Sequence, residues 1–463
     1  MGRLIVVSNR VGQPQQTAGA SVGGLAMALG AALREYNGVW FGWSGRTVET
    51  FTGQLSVQRG QGATVATVDL EEQDRQEYYN GYANRTLWPL FHYRIDLSAY
   101  ERSFNEGYAR VNARFAQTLL PLLQPDDFVW VHDYHLIPLA RELRRRGVTN
   151  RIGFFLHIPW PARRLFATLP FHRELVEAMF DYDLVGFQSE DSLSAFHDYV
   201  AHDEAGKVQT GGRAVAFGRT VRTGAFPIGL DVDAFTEAAQ GEAAAAWRDR
   251  MRVSLAGRRM IIGVDRLDYS KGLEERFLAY EEYLANTPEA LEQVFLLQIA
   301  TPSRDEVPAY QEIRARLDGV TGRINGAFAT PDWVPIRYVN RSYRRDELAG
   351  IYGAASLGLV TPLRDGMNLV AKEYVAAQRP DDPGVLILSQ FAGAAEQMRE
   401  ALIVNPFSRE DVSDAIKAGL AMPRPERVRR WEALMDGVRK HDIEAWRDAF
   451  VAALREQPAP QLV

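Results

Sequence analysis

Short apolar runs recur along the chain at intervals that leave room for a helix between many of them. In the first half they are residues 4–8 (LIVVS), 39–43 (VWFGW), 128–132 (FVWVH), 152–157 (IGFFLH) and 184–188 (LVGFQ). The second half offers 260–265 (MIIGVD), 294–300 (VFLLQIA), 335–339 (PIRYV), 356–360 (SLGLV) and 385–389 (VLILS). Strands that are apolar on both faces belong to parallel sheets covered by helices on each side. Amphipathic patterns over 24–36, 135–146, 272–286 and 368–377 supply such helices and predict βαβ units.

The 463 residues exceed what one ordinary core organises, and the strands fall into two sets of about five. One very large doubly wound sheet is the alternative; two Rossmann-like domains fit the grouping better. FPIGLDVDAF (226–235) ends the first series and an Ala-rich helix leads to the second, so the boundary is placed near residue 230. In open α/β sheets ligands bind beyond the carboxyl ends of the strands, so two such domains would place an active site in a cleft between them.

A hydrophobic share of 46% with a net charge of −6 argues for a globular enzyme and against a general nucleic-acid binder. With no cysteine, disulfides, thiol catalysis and thiolate metal sites are excluded. The first apolar run is too short for a signal-peptide core, and no stretch approaches the ~18 apolar residues of a membrane span. A cytoplasmic protein without membrane partners is expected.

Five stretches carry candidate chemistry. Arg10, just past the first strand, and Gly23-Gly24, opening a helix, suit an anion or a sugar, although a tight turn beside a solvated arginine accounts for them equally. The aromatic stretch 77–93 (EYYNGYANRTLWPLFHY) reads as loop-like; its tyrosines and Trp88 suit sugar stacking, but burial as a satellite core is the commoner fate. His132, Asp133 and His135 tempt a metal reading. Adjacent strand residues point to opposite faces, however, so Asp133 as an acceptor for substrate hydroxyls is preferred. His157 stands likewise at a strand end.

In 263–284 a strand ends at Asp265-Arg266, and Lys271-Gly272 precede a helix; a pyrophosphate site without a Walker A loop is preferred there over an Arg266/Asp268 surface pair beside a solvated lysine. In 361–374 (TPLRDGMNLVAKEY) the helix starts near Asn368. The N–H groups of Leu369 and Val370 face an anion there, and Glu373, one turn inside, leans back toward the same end. A carboxylate stabilising the helix dipole explains Glu373 but not Asp365-Gly366-Met367-Asn368. The Asp-x-Asp triplets 181–183 and 231–233 are read as structural. The missing GxGxxG after strand one disfavours a dinucleotide oxidoreductase.

These residues carry a resemblance. VVSNR, WFGWSG, HDYHL, IGFFLHIP, RLDYSKGL, LRDGMNLVAKEYVAAQ and LSQFAGAA, spread over nearly the whole chain, resemble the trehalose-6-phosphate synthases, retaining glycosyltransferases of family 20. The resemblance implies a GT-B fold: two Rossmann-like α/β domains with parallel sheets facing across a deep cleft. The acceptor domain would span 1–229 and the nucleotide-sugar domain 230–441, with a last helix, about 442–463, crossing back onto the first. It implies transfer of glucose from a nucleotide sugar, UDP-glucose in most of the family, to glucose 6-phosphate, giving α,α-trehalose 6-phosphate.

By the same resemblance, Arg10, Tyr79, Trp88 and Arg304 would hold the acceptor phosphate, with Asp133 and Gln188 near the acceptor sugar. Arg266, Lys271 and the N–H groups of Leu369 and Val370 would hold the donor diphosphate. Glu373 would meet the ribose, and Tyr343 would lie close to the uracil. Gly23, Gly24, His157, Asp365, Gly366, Met367 and Asn368 would surround the donor glucose. Asp133, His157, Arg266, Lys271 and Asp365 are the candidate catalytic residues. Asp265 and Trp160 depart from the family's usual Glu and Phe, and Arg364 is expected to make a structural ion pair. No cofactor or metal is expected; a dimer or tetramer is. A glucosylglycerol-phosphate synthase or a pseudo-glycosyltransferase on the same scaffold is the nearest alternative. A silent sugar-phosphate sensor is disfavoured by the intact donor residues.

Overall fold

The computed structural model describes residues 2–11, 33, 36–60, 63–203, 206–304 and 306–456. The predicted loop 12–21, most of the predicted helix 24–36, and with them Gly23 and Gly24, lie outside the described residues. The chain divides into two units. The first holds the described residues up to Pro227 and those from Glu444 onward; the second is Ile228–Ile443.

Among the described residues the first unit carries one ten-stranded sheet. Its strands are β1 (Leu4–Arg10), β2 (Val39–Val48), β3 (Leu55–Arg59), β4 (Thr64–Glu71), β5 (Phe128–His132), β6 (Arg151–Phe155), β7 (Leu184–Phe187), β8 (Lys207–Gln209), β9 (Arg213–Ala216) and β10 (Arg219–Ala225). The central order β4-β2-β1-β5-β6-β7 is parallel throughout and corresponds to the 3-2-1-4-5-6 winding of a dinucleotide-binding sheet. The direction reverses between β1 and β5, where Arg10 and Asp133 follow the two strands. Both ends of the sheet depart from the all-parallel expectation, since β3 pairs antiparallel with β4, and β8, β9 and β10 form an antiparallel meander.

The second unit carries, among the described residues, a six-stranded, fully parallel sheet of β11 (Arg259–Arg266), β12 (Val294–Thr301), β13 (Ile336–Val339), β14 (Leu357–Val360), β15 (Val385–Ser389) and β16 (Leu402–Val404). Its order β13-β12-β11-β14-β15-β16 is the same 3-2-1-4-5-6 winding. The reversal falls between β11 and β14, so the loops bearing Arg266-Lys271 and Asp365-Asn368 leave adjacent strands at the same end. Apolar side chains such as Phe277, Tyr280, Leu296, Leu357, Ile387 and Ile416 fill the space between sheet and helices.

The last helix, Ile443–Arg455, packs on the first unit. Phe450 stacks on Trp130 with ring centres 4.5 Å apart, and Trp446 meets Trp130 at 4.9 Å and Phe155 at 5.2 Å. Gly153 on β6 and Gly186 on β7 make the room: a Cβ there would lie 2.9 and 2.7 Å from the Phe450 ring. Arg151 and Arg222 donate to the carbonyls of Ala453, Leu454 and Arg455, capping the helix where backbone acceptors lack intrahelical partners.

The aromatic stretch 77–93 corrects the loop expectation. Residues Arg75–Leu87 form a wide helix with i→i+5 bonding, and Trp88–Phe91 continue it as an α-helical turn. Its tyrosines, asparagines and glycine are weak helix formers. Burial of Tyr78, Tyr82 and Leu87 against the helix Arg102–Leu119 decides the matter. The predicted helix 135–146 is also shortened: a single turn, Tyr134–Leu136, is followed by Leu139–Arg145. Proline at 138 lacks the N–H that a continuous helix would need.

Candidate active site

In the first unit the predicted residues gather at the carboxyl ends of β1, β5, β6 and β7. The Arg10 guanidinium lies over the Trp43 ring at 5.4 Å, and Trp43 meets Tyr79 edge-on at 5.7 Å. Tyr79 stacks on His135 at 5.9 Å, His135 lies 4.0 Å from Tyr134, and Tyr134 lies 5.7 Å from Trp88. Arg10, Tyr79 and Trp88 therefore sit on one continuous ladder of rings. Gly45 permits it, because its φ of +88° is left-handed and a Cβ would fall 2.2 Å from the Arg10 guanidinium.

Asp133, at φ +77°, turns its carboxylate to accept from the His157 backbone N–H at 3.2 Å. The His157 ring is held from both sides, by His132 Nδ1 at 3.0 Å and Gln188 Nε2 at 3.3 Å. Burial pushes His157 down to about 3, and burial together with His157 holds His132 well below the ordinary imidazole value. Both rings stay neutral at physiological pH, which makes His157 a poor general base.

In the second unit Lys271 Nζ lies 2.5 Å from Asp365 Oδ2, and the same oxygen accepts from Asn368 Nδ2 at 3.1 Å. The two loops are pinned together by Leu363 N donating to Ser270 O at 2.8 Å and by Gly272, whose φ of +63° and close approach to Thr361 O exclude a side chain. Arg364 adds its backbone N–H to Ser270 O at 3.4 Å. Asn368 caps the helix Leu369–Ala376, accepting from Ala371 N, so the N–H groups of Leu369 and Val370 sit in a first turn that lacks intrahelical acceptors.

The carbonyl of buried Met367 accepts from Ala394 N at 2.9 Å, and Asp365 donates its backbone N–H to Phe391 O at 3.1 Å while its carbonyl accepts from Gly393 N at 3.2 Å. A Cβ on Gly393 would meet Gly366 O at 2.0 Å, so the AGA turn after β15 fixes the Asp365-Gly366-Met367 loop from behind. Glu373 follows one turn into the helix. Burial raises it to about 7, against the pull of Arg345. Its neighbour Lys372 turns into the core, donating to Ile228 O at 2.9 Å and Gln397 Oε1 at 2.8 Å; burial lowers it to about 7. Tyr343, after β13, packs edge-on against Trp247 at 5.5 Å with Arg341 over its ring.

Arg304 is held among second-unit residues. Its guanidinium contacts Asp268 Oδ2 at 3.5 Å, and Arg266 approaches the same oxygen at 3.9 Å. Arg266, Lys271 and Arg304 against Asp268 and Asp365 leave this cluster one positive charge in surplus. Trp43, Gly45, Asp268, Tyr310 and Gly393 escape sequence reasoning. The signal for the glycines was available in the quoted stretches WFGWSG and LSQFAGAA.

The two triplets are occupied structurally. Asp181 pairs with Arg141 and Arg219, Asp183 with Arg144, and Asp231 accepts from Ala234 N to cap a helix. Among the described residues no group of three or more His, Asp or Glu side chains could hold a metal ion. Among them, too, no helix is long and apolar enough to cross a membrane.

Each unit is thus a doubly wound α/β fold with cationic side chains at its switch point, Arg10 at the end of β1 in the first and Arg266 and Lys271 after β11 in the second, an arrangement suited to phosphorylated ligands. The family model of glycosyltransferase family 20 matches residues 3–456. A trehalose-6-phosphate synthase of Sinorhizobium fredii is 48% identical over 448 residues, covering 96% of this chain and 97% of that protein. The UDP-forming α,α-trehalose-phosphate synthase of Burkholderia xenovorans, solved in complex with glucose-6-phosphate, superposes with a TM-score of 0.94 at 48% identity, covering 98% of this chain and 100% of that one. The E. coli protein solved bound with UDP-2-fluoro glucose gives 0.95 at 46% identity, covering 99% and 100%. The chain belongs to glycosyltransferase family 20.

One prediction follows from the AGA turn. Gly393→Ala forces the Gly366 carbonyl away and is expected to weaken nucleoside-diphosphate binding about ten-fold. Calorimetric titration with UDP measures this, and an unchanged affinity contradicts the bracing role.

Proposed function

We propose that this chain is a retaining glucosyltransferase that moves glucose from UDP-glucose to glucose 6-phosphate, releasing UDP and α,α-trehalose 6-phosphate. The observation that carries this reading is the Lys271–Asp365 pair beside Arg266 at the switch point of the second sheet. It supports the reading because a cation suited to a leaving diphosphate and a carboxylate suited to sugar hydroxyls stand within one hydrogen bond of each other.

Retention by double displacement needs a carboxylate poised as nucleophile with an acid partner about 5 Å away. Asp365 is instead engaged by Lys271 and Asn368, which suits a hydroxyl acceptor better than a nucleophile. The acceptor hydroxyl then attacks from the face the diphosphate leaves. The C1–O bond to phosphate breaks as the new C1–O bond forms, and the departing phosphate oxygen takes the proton. Arg266 and Lys271 stabilise the charge that grows on that oxygen, the task a metal performs in other transferases.

In the first unit, the Arg10–Tyr79–Trp88 ladder is assigned to the sugar phosphate, and Asp133 and Gln188 to its hydroxyls. Arg304, held by Asp268 and Tyr310, is likewise assigned to binding the phosphate of a sugar phosphate. Glu373 is assigned to the ribose and Tyr343 to the base.

The test is an assay of nucleotide release from UDP-, GDP- and ADP-glucose against glucose 6-phosphate and glycerol 3-phosphate, with the product identified by NMR. UDP-glucose with glucose 6-phosphate is expected to dominate, to give only the α,α-linked product, and to survive chelation by EDTA. Preference for glycerol 3-phosphate, or a β-linked product, would overturn the assignment.

A further inference from the structure

Asp268 stands two residues past the end of β11 with its side chain wholly buried, an expensive place for a carboxylate unless its oxygens are fully engaged. They are. Oδ1 accepts from the backbone N–H of Ser270 at 2.9 Å and from its hydroxyl at 2.8 Å, shaping the turn Tyr269–Lys271 that delivers Lys271. Oδ2 accepts from the Tyr310 hydroxyl at 3.0 Å and faces the guanidinium groups of both Arg304 and Arg266.

Tyr310 closes the circuit. It sits in the first turn of the helix Pro308–Phe328, 1% exposed, with its ring 5.5 Å from the Arg304 guanidinium carbon. Its hydroxyl accepts from Arg304 Nη1 while donating to Asp268. Burial pushes that hydroxyl far above its ordinary value, so it keeps the proton it donates. Arg304 itself is held at φ +53°, a conformation that a non-glycine residue adopts only when its surroundings impose it.

We propose that Asp268 and Tyr310 are positioning residues that set acceptor and donor recognition together. Tyr310 aims Arg304 at the sugar phosphate, and the Asp268 carboxylate ties that arginine to the diphosphate cations Arg266 and Lys271. The inference rests on the reading that Arg304 binds the sugar phosphate. Its content beyond that reading is a division of labour. The Tyr310 hydroxyl meets the acceptor-arm arginine directly and the donor cations only by way of Asp268, with its ring 5.3 Å from that of Tyr269, whereas Asp268 serves both arms.

Steady-state kinetics of Tyr310→Phe, Asp268→Asn and Arg304→Gln in the full chain separate these roles. Tyr310→Phe removes one hydroxyl and is expected to raise KM for glucose 6-phosphate about ten-fold while leaving KM for UDP-glucose within about two-fold. Asp268→Asn is expected to raise both. If Asp268→Asn does not fold, Tyr310→Phe alone decides. Equal rises in its two KM values, or no rise in that for glucose 6-phosphate, overturn the proposal. Arg304→Gln guards the underlying reading: were it to leave the acceptor KM unchanged, that reading fails first. A large effect of Arg304→Gln beside a silent Tyr310→Phe sinks the positioning role alone.

Discussion

Lys271→Ala is expected to lower kcat by roughly 10²–10³ with both substrates saturating, the loss typical of removing one preorganised charge from a transition state. The ammonium lies 2.5 Å from Asp365 and its side chain is only 10% exposed, so water screens it weakly. Two losses combine. The leaving diphosphate forfeits a fixed cation, and Asp365 keeps its negative charge without the partner that oriented it. The second is separable, because Asp365→Asn retains Lys271 and should affect sugar binding more than leaving-group chemistry. Lys271→Arg should recover little, since the planar fork cannot occupy the position of a compact ammonium. Measured kcat near the wild-type value in Lys271→Ala would remove Lys271 from the mechanism.

The second large effect is on stability. Arg276→Met is expected to destabilise the second unit by about 3–5 kcal/mol, the usual consequence of orphaning one half of a buried ion pair. Arg276 is fully buried in the helix after Gly272, donating to Asp265 Oδ2 at 2.6 Å, Gln298 Oε1 at 2.8 Å and Thr361 Oγ1 at 2.9 Å. It therefore ties β11, β12 and the start of the loop after β14 beneath Arg266 and Lys271. Burial already pushes the Asp265 carboxyl above its ordinary value, with Arg276 opposing it. Methionine fills similar volume but offers no donor. Urea unfolding followed by hydrogen exchange of β11 and β12 amides reads the loss, and a midpoint unmoved by the substitution would contradict it. Converting Asp265 to leucine in the same chain should restore part of the stability, because the uncompensated charge is then gone.

The central strands were legible because both faces are buried, which writes continuous Val, Ile, Leu and Phe into the sequence. The strands that escaped notice lack that signature. β3 reads LSVQR and is exposed along most of its length, and β8 is exposed throughout. The meander of β8 to β10 instead turns through Gly211-Gly212 and Phe217-Gly218, all with positive φ. In the site, the residues assigned to ligands stood out in the sequence as charges where turns should be cheap. Residues that aim those charges were not. Asp268 looks like an ordinary surface partner for Arg266 until the fold buries it. Tyr310, six residues beyond Arg304, has no reason in sequence to be read with a residue 42 positions earlier. The wide helix at 75–87 shows the same limit, since tertiary packing overrode poor local propensity there.

The placement of the helix Ile443–Arg455 bears on how the chain is made. Trp446 and Phe450 fill the space against Trp130 and Phe155 on β5 and β6, strands that leave the ribosome about three hundred residues earlier. Domains ordinarily fold in the order in which they are synthesised. Here that order inverts: the second unit has all its strands while the first still exposes an aromatic face awaiting the final helix. The nascent first unit is thus the stage at which a chaperone has most to cover, and translation pausing near residue 440 would prolong it.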